Sequence, residues 1–476
     1  MFRSRPVELA SPWDELVRLF PSEQLITDRA ELRVYECDAL PVHRQPPEVV
    51  VLCASRADVV SAVRWCAERR VPFVPRGAGT GLSGGATPTK GSVVLDLNRM
   101  NKILEIDAEN RYAVVEPGLV NVRLTEAVEP HGLHYAPDPS SQTACTLGGN
   151  VAENSGGPHC LKYGVTSDHI LGMEVVLPDG EIARLGAPLA DLPGPDLVAL
   201  FVGAEGTFGV VTEVTVRLTP SPRAVRTFLA IFDSMALACR TVADITRTGV
   251  LPVALEILDQ RTIRAVEASV TRAGYPENAA AVLLIELDGF EAGMDEEEAV
   301  IRRVVTANRA IELRAARDPV QRAQLWKGRK AAFGAMGRVN TDLYVLDGVV
   351  PRTELEKTLQ RVYEIADRHR VTVSNVFHAG DGNLHPNISY DGRNEDETTR
   401  VLAAGREMLR ACVDAGGSIS GEHGIGLEKM EFMPMLFSEE DLDLQAAVRD
   451  AIDPNGIANP GKILPDGRAK RKRSRA

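Results

Sequence analysis

Apolar positions along the chain fall into short runs that switch between two periods. The β-branched run VVVLC after Glu48 is followed by Ser55-x-x-Asp58, a capping box, then an amphipathic stretch to Arg69 and the run VPFVPR. Period two, then 3.6, then two again predicts a strand–helix–strand unit. SVVLDL (92–97) predicts another strand, and KILEID and YAVVEPG predict a hairpin turned at Asp107 to Asn110. Strict alternation in VVTEVTVRL (210–218) marks a half-buried strand. Near the start, Ser11-Pro12-Trp13-Asp14 has the pattern of a helix N-cap with proline at the first helical position.

Pro220-Ser221-Pro222 interrupts both periods, because prolines two apart stop helix and strand alike, and a domain boundary is expected there. Beyond it, strands RTFLAIF, PVALEIL, AVLLIEL and AIELRA alternate with helices at 235–248, 260–273, 295–309 and around QLWKGRKAAFG. This order predicts an α+β layer with helices on one face of a sheet. Leu355, Leu359, Val362, Ile365 and Ala366 then form a helical stripe that leads into VTVSNVFHAG.

With 476 residues, the chain exceeds one ordinary core, so two or three domains are expected. Apolar content of 44% and charged content of 25% are those of a globular protein in water, and no stretch has the roughly 20 uninterrupted apolar residues of a bilayer span. A cytoplasmic location is expected, with any membrane association made through a partner. The seven cysteines are scattered without a C-x-x-C pair, which argues against a disulfide framework, structural zinc or an iron–sulfur cluster. A net charge of −12 argues against a nucleic-acid partner, and the one basic run, KRKRSRA at the C-terminus, is expected to be a disordered tail over 466–476.

Two segments carry candidate chemistry: FHAGDGNLHPNI (377–388) and SGEHG (420–424). A two-residue hairpin turn at Asp381-Gly382 places His378 directly opposite His385, with Cβ atoms about 4.5 to 5.5 Å apart on one sheet face. Two imidazoles and the Glu422 carboxylate are ordinary ligands for a divalent ion such as Zn2+. His423, next to Glu422 in a segment read as extended, is expected to point the other way and to be free for proton transfer. A lone histidine is more often a hydrogen-bonded structural residue, but the grouping favours a metal site.

Three glycine-rich stretches lie upstream. PRGAGTGLSGGA (75–86) formally contains G-x-G-x-x-G, yet its glycines run into the turn ATPTKGS rather than a helix, which disfavours a Rossmann fold. PDPSSQTACTLGGNVAENSGG (137–157) and GAEGTFGVVTEV (203–214) have the same character. Each alone reads as a surface loop. Three in one domain are better explained as backbone nests for a long ligand carrying a pyrophosphate.

Together with GGSISGEHGIG and NPGKI, these segments span nearly the whole chain and resemble the FAD-linked oxidase family of the vanillyl-alcohol-oxidase type, within it the flavin subunits of bacterial glycolate oxidases and the D-lactate dehydrogenases. The resemblance implies a two-subdomain FAD-binding module over 1–222 with an N-terminal helical lead-in. A substrate cap with an antiparallel sheet would follow over 223–415, and a segment over 416–465 would return to the flavin. It implies non-covalent FAD held by Pro75, Arg76, Gly77, Ala78, Gly79, Thr80, Gly81 and Leu82, then by Asp138, Ser140, Ser141, Gly148, Asn150, Asn154 and Gly156. Glu205, Gly209, Val211 and Asn459 would complete the cofactor site. It also implies metal on His378, His385 and Glu422, a base at His423, and substrate contacts from Arg329 of WKGR and from Asn387. Relatives acting on 2-hydroxyglutarate carry a lysine where this chain has Val345, so a small 2-hydroxy acid, glycolate or D-lactate, is the expected substrate. With no cluster motif of its own, the chain is expected to pass electrons to an iron–sulfur partner subunit or quinone. The rival readings are a metal-dependent hydrolase of a phosphorylated substrate and a non-catalytic FAD-binding subunit.

Overall fold

The computed structural model describes residues 12–188 and 193–465. The Ser11 cap and the basic tail over 466–476 lie outside them. The first unit is as the periodicity predicts: strand Val49–Leu52, helix Arg56–Arg69 and strand Phe73–Arg76, with Ser55 and Asp58 closing a capping box at the helix start. The two strands are parallel but not adjacent, since Val93–Asp96 inserts between them in a four-stranded sheet. No helix follows the glycines of 75–86.

A second sheet of five antiparallel strands contains the Ile103–Asp107/Tyr112–Val115 hairpin and the strand Val210–Arg217. The chain then crosses into a nine-stranded sheet that begins with Ala224–Phe232. The C-terminal segment returns to the first sheet, where Ala458 bridges Phe73 and the Asn459 amide donates to the Phe73 carbonyl.

The large sheet differs from expectation in one respect: helices cover both faces. Phe228, Ala230 and Phe232 pack with Cys239, Val242, Ile301 and Val305 on one side, while Leu229 and Ile231 pack with Ile263, Trp326 and Ala332 on the other. Continuous apolar runs such as AVLLIEL carry this information, because a strand buried on both faces has no reason to alternate. Among the described residues no helix is long and apolar enough to cross a membrane.

Candidate active site

The hairpin that presents the two histidines has a different register from the one expected. His378 pairs with Asn383, and the pairs Asn375↔Pro386 and Ser374↔Asn387 continue the same register, so the loop is four residues, Ala379 to Gly382. A two-residue turn of the favoured type needs positive φ at both central positions; here Gly382 has φ +83° and Asp381 does not lie in that region. The shift relative to expectation is two residues, an even number, and side-chain parity along a strand therefore survives. His385 still shares the face of His378, diagonally rather than directly, with ring centroids 5.1 Å apart.

Glu422 completes the cluster. Its Oε1 lies 3.2 Å from both His378 Nε2 and His385 Nε2. The expectation that His423 points away is wrong. Residues 421–425 curl instead of extending, because the Asp347 carboxylate accepts the backbone N–H of both Glu422 (3.2 Å) and His423 (2.8 Å). The His423 ring consequently stands 5.0 Å from that of His385, and burial lowers its pKa to about 4, so the imidazole is neutral.

Two sets of ligand atoms converge here, His378/His385/Glu422 and Asp347/His385/His423. Their chemistry separates them. Asp347 is already balanced by the buried Lys429 ammonium at 3.2 Å and accepts the Ser420 hydroxyl at 2.6 Å, so it serves as the anchor of the loop. In the first set, His385 is 1% exposed and neither ring nitrogen has a hydrogen-bond partner among the described residues, despite the nearby carboxylate. An orphaned buried imidazole beside a carboxylate is the arrangement a divalent ion satisfies. The residues present therefore fit such an ion.

Behind this cluster stands Glu256, fully buried, on the strand Ala254–Asp259 and directly opposite His378. Its Oε1 accepts a hydrogen bond from His378 Nδ1–H at 2.7 Å, and its Oε2 accepts from Arg329 Nε at 2.5 Å. Arg329, 1% exposed, thus sits against His378 rather than on the cavity wall. Lys330 and Phe333, one turn apart on the same helix, do line the cavity, with the Phe333 ring 6.3 Å from that of His385. Asn387 is turned toward its own sheet, donating to the His385 carbonyl at 2.7 Å.

One cavity of about 460 Å³ runs from the glycine loops to His385, Glu422 and His423. Residues 75–82 line it, as do Ser140, Ser141, Gly148, Asn150, Gly156, Glu205, Gly209 and Val211. Three residues of the expected cofactor set support the wall from behind. Asp138 binds His159 at 2.7 Å, Asn154 ends a helix in the left-handed region (φ +52°), and Asn459 donates to the carbonyls of Gly85 and Glu205. The loops press on one another closely. A Cβ on Gly77 falls 2.3 Å from Thr146 Oγ1, and one on Gly206, at φ +70°, falls 2.5 Å from Pro75 Cγ. At these glycines it is backbone that faces the cavity, which suits a ligand with phosphate oxygens.

Sequence reasoning passed over Glu256, Asp347 and Lys330. Glu256 carried a usable signal: a single carboxylate inside the apolar run VALEIL has to find a buried partner.

Residues 47–186 match the FAD binding domain family, and residues 221–463 match the family of FAD linked oxidases, C-terminal domain. The glycolate oxidase subunit GlcD of Escherichia coli (strain K12) is 46% identical over 94% of this chain and 89% of its own length. Its counterpart in Bacillus subtilis (strain 168) is 40% identical over 96% and 97%, and the D-lactate dehydrogenase of Archaeoglobus fulgidus 33% identical over 94% and 98%. The structure of p-cresol methylhydroxylase with substrate bound superposes with a TM-score of 0.80 at 20% identity, covering 95% of this chain and 97% of that one. The fold is thus of the vanillyl-alcohol-oxidase type, and the chain belongs to the FAD-linked oxidase family.

Proposed function

We propose that the protein is an FAD-dependent dehydrogenase that oxidises a small 2-hydroxy acid, glycolate or D-lactate, to the 2-oxo acid. The observation that carries this reading is the single cavity joining the backbone-lined loops to the imidazole–carboxylate cluster. The relatives named for glycolate and D-lactate support the same substrate class. When bound, FAD supplies the hydride acceptor, and a divalent ion such as Zn2+ on His378, His385 and Glu422 supplies polarisation of the substrate hydroxyl.

The protein's own groups do the rest. Arg329 backs the substrate carboxylate from behind the cavity wall, where its pairing with Glu256 leaves Nη1 without a hydrogen bond among the described residues. Lys330, on the cavity wall, closes the outer side of that carboxylate. His423 takes the hydroxyl proton at Nε2, since its Nδ1 is shut in without a partner among the described residues. Fixing the carboxylate at one end selects which α-hydrogen faces the cofactor. Leu343 and Val345 make the neighbouring wall apolar, which leaves a second carboxylate without a partner.

FAD is held without a covalent bond. His159 has one nitrogen on Asp138 and the other 3.4 Å from Glu286, and burial pushes the Cys160 thiol well above its ordinary pKa, so neither is a ready nucleophile. Reoxidation passes through an iron–sulfur partner subunit or quinone, because the scattered cysteines build no cluster.

An anaerobic titration of the purified FAD protein tests this. Glycolate or D-lactate is expected to bleach the oxidised flavin band, and 2-hydroxyglutarate to bleach it at least about tenfold less efficiently. Absence of bleaching with every 2-hydroxy acid tried overturns the reading.

A further inference from the structure

We infer that Glu256 is the positioning residue of the reaction, a single carboxylate that fixes both the metal ligand His378 and the arginine that draws the substrate; this rests on the function proposed above. Three observations converge. Glu256 is 0% exposed in the middle of an apolar strand, so its charge is retained against a desolvation cost that an apolar residue would not incur. Its two oxygens are divided between two functional side chains, His378 and Arg329, rather than spent on one. Its contact with His378 is to Nδ1, while Nε2 of the same ring faces Glu422 at 3.2 Å.

The last point has a chemical consequence. A carboxylate on Nδ1 keeps the proton there, presents the Nε2 lone pair to an ion and raises its basicity. His385 has no such support, for its Nδ1 lacks a partner among the described residues. The two histidines are therefore unequal ligands, and the orientation of the site enters through His378. Through its other oxygen Glu256 holds Arg329 by Nε, which leaves Nη1 without a hydrogen bond among the described residues and Nη2 3.4 Å from His378 Nδ1. The ligand and the anchor are set at a fixed separation by one side chain, on a strand whose register with His378 is itself fixed by the sheet.

The test measures Zn2+ affinity of the full FAD-loaded chain by competition with a chromogenic chelator, with FAD content and circular dichroism as controls for folding. Glu256→Gln is expected to lower the affinity about 10- to 100-fold. Glu256→Asp, which keeps the charge, is expected to recover part of it. Because the Gln variant leaves Arg329 buried without a counter-charge, the paired variant E256Q/R329Q is made alongside it; it contains no unpaired charge and is expected to show the same loss. Unchanged Zn2+ affinity in the folded variants overturns the inference while leaving the proposed oxidation intact. Wild-type protein that is bleached by glycolate yet holds no stoichiometric Zn2+ overturns the metal site and this inference together. A Zn2+ affinity that falls in the Glu256 variants, in a protein never bleached by any 2-hydroxy acid, supports the inference and overturns the reaction.

Discussion

Glu256 and Glu286 occupy neighbouring strands of the large sheet and share one of its faces, since Glu286 pairs with Ala254, two residues from Glu256. Each carboxylate holds an arginine and a histidine. Glu256 takes Arg329 and His378; Glu286 takes Arg322 and His159. The two arginines lie seven residues apart on the helix Pro319–Met336, and so on the same side of it. Their surroundings differ. Arg329 and the His378 side chain are 1% and 4% exposed, whereas Arg322 and His159 are 42% and 21% exposed at the seam between the FAD binding domain and the C-terminal oxidase domain. Glu286 also accepts from Trp326 Nε1 and Thr227 Oγ1. One arrangement is dry and held by two partners; the other is wetter and held by four. On the proposed function, the same residue types position reacting groups in one place and join two domains in the other.

The largest separation between them is expected on removing the arginines. Arg329→Ala leaves Glu256 buried with its principal counter-charge gone, a loss of about 3–5 kcal/mol in urea unfolding, with kcat/KM for glycolate falling by more than about 100-fold. Arg322→Ala faces solvent and leaves Glu286 three other partners, so about 1 kcal/mol and near-normal kcat are expected. Equal losses from the two variants break the distinction between a dry and a wet site.

A pH scan gives the second, intermediate effect. Burial alone would lower the His159 pKa, but the Asp138 carboxylate and then Glu286 reverse this and raise it from 6.5 to about 10. A raised histidine stabilises fully below its unfolded pKa and loses that contribution as pH climbs through the folded value. The stability difference between wild type and His159→Gln is therefore expected to be about 2 kcal/mol below pH ~6.5 and to shrink toward zero as pH approaches ~10. A difference that widens with rising pH contradicts the seam assignment.

The ease with which each region could be read from sequence follows the same division. The glycine loops were legible because their function is carried by local backbone: a run such as PRGAGTGLSGGA behaves as a loop whatever lies opposite it. Capping at Ser55 and the hairpin at Asp107 are local in the same sense. The face shared by His378 and His385 was legible although the register was not, because parity is insensitive to an even slip. The turn of His423 toward the cluster was not legible, since it depends on Asp347, which lies 76 residues earlier in the chain. The lone glutamates of VALEIL and AVLLIEL announced that partners existed, but those partners come from as far as 122 and 127 residues away, beyond the reach of any periodicity.

The finest test of the comparison removes one neutral donor. Thr227 gives its hydroxyl to Glu286 Oε2, the same oxygen that accepts Trp326 Nε1 at 2.7 Å and Arg322 Nε at 2.9 Å. With charged and indole donors still in place, no buried acceptor is orphaned, and valine fills nearly the same volume. Thr227→Val is therefore expected to cost about 0.5–1 kcal/mol and to leave Zn2+ affinity and kcat unchanged. The redundancy explains why the seam tolerates the change. Among the described residues Glu256 has no second donor on either oxygen that makes a sound hydrogen bond, because Arg329 Nη2 reaches His378 Nδ1, at 3.4 Å, a nitrogen already donating to the carboxylate. If thermal denaturation of the valine variant showed a loss comparable to that of Arg329→Ala, Glu286 would be as finely balanced as Glu256, and the contrast between a clamp and a positioning carboxylate would be lost.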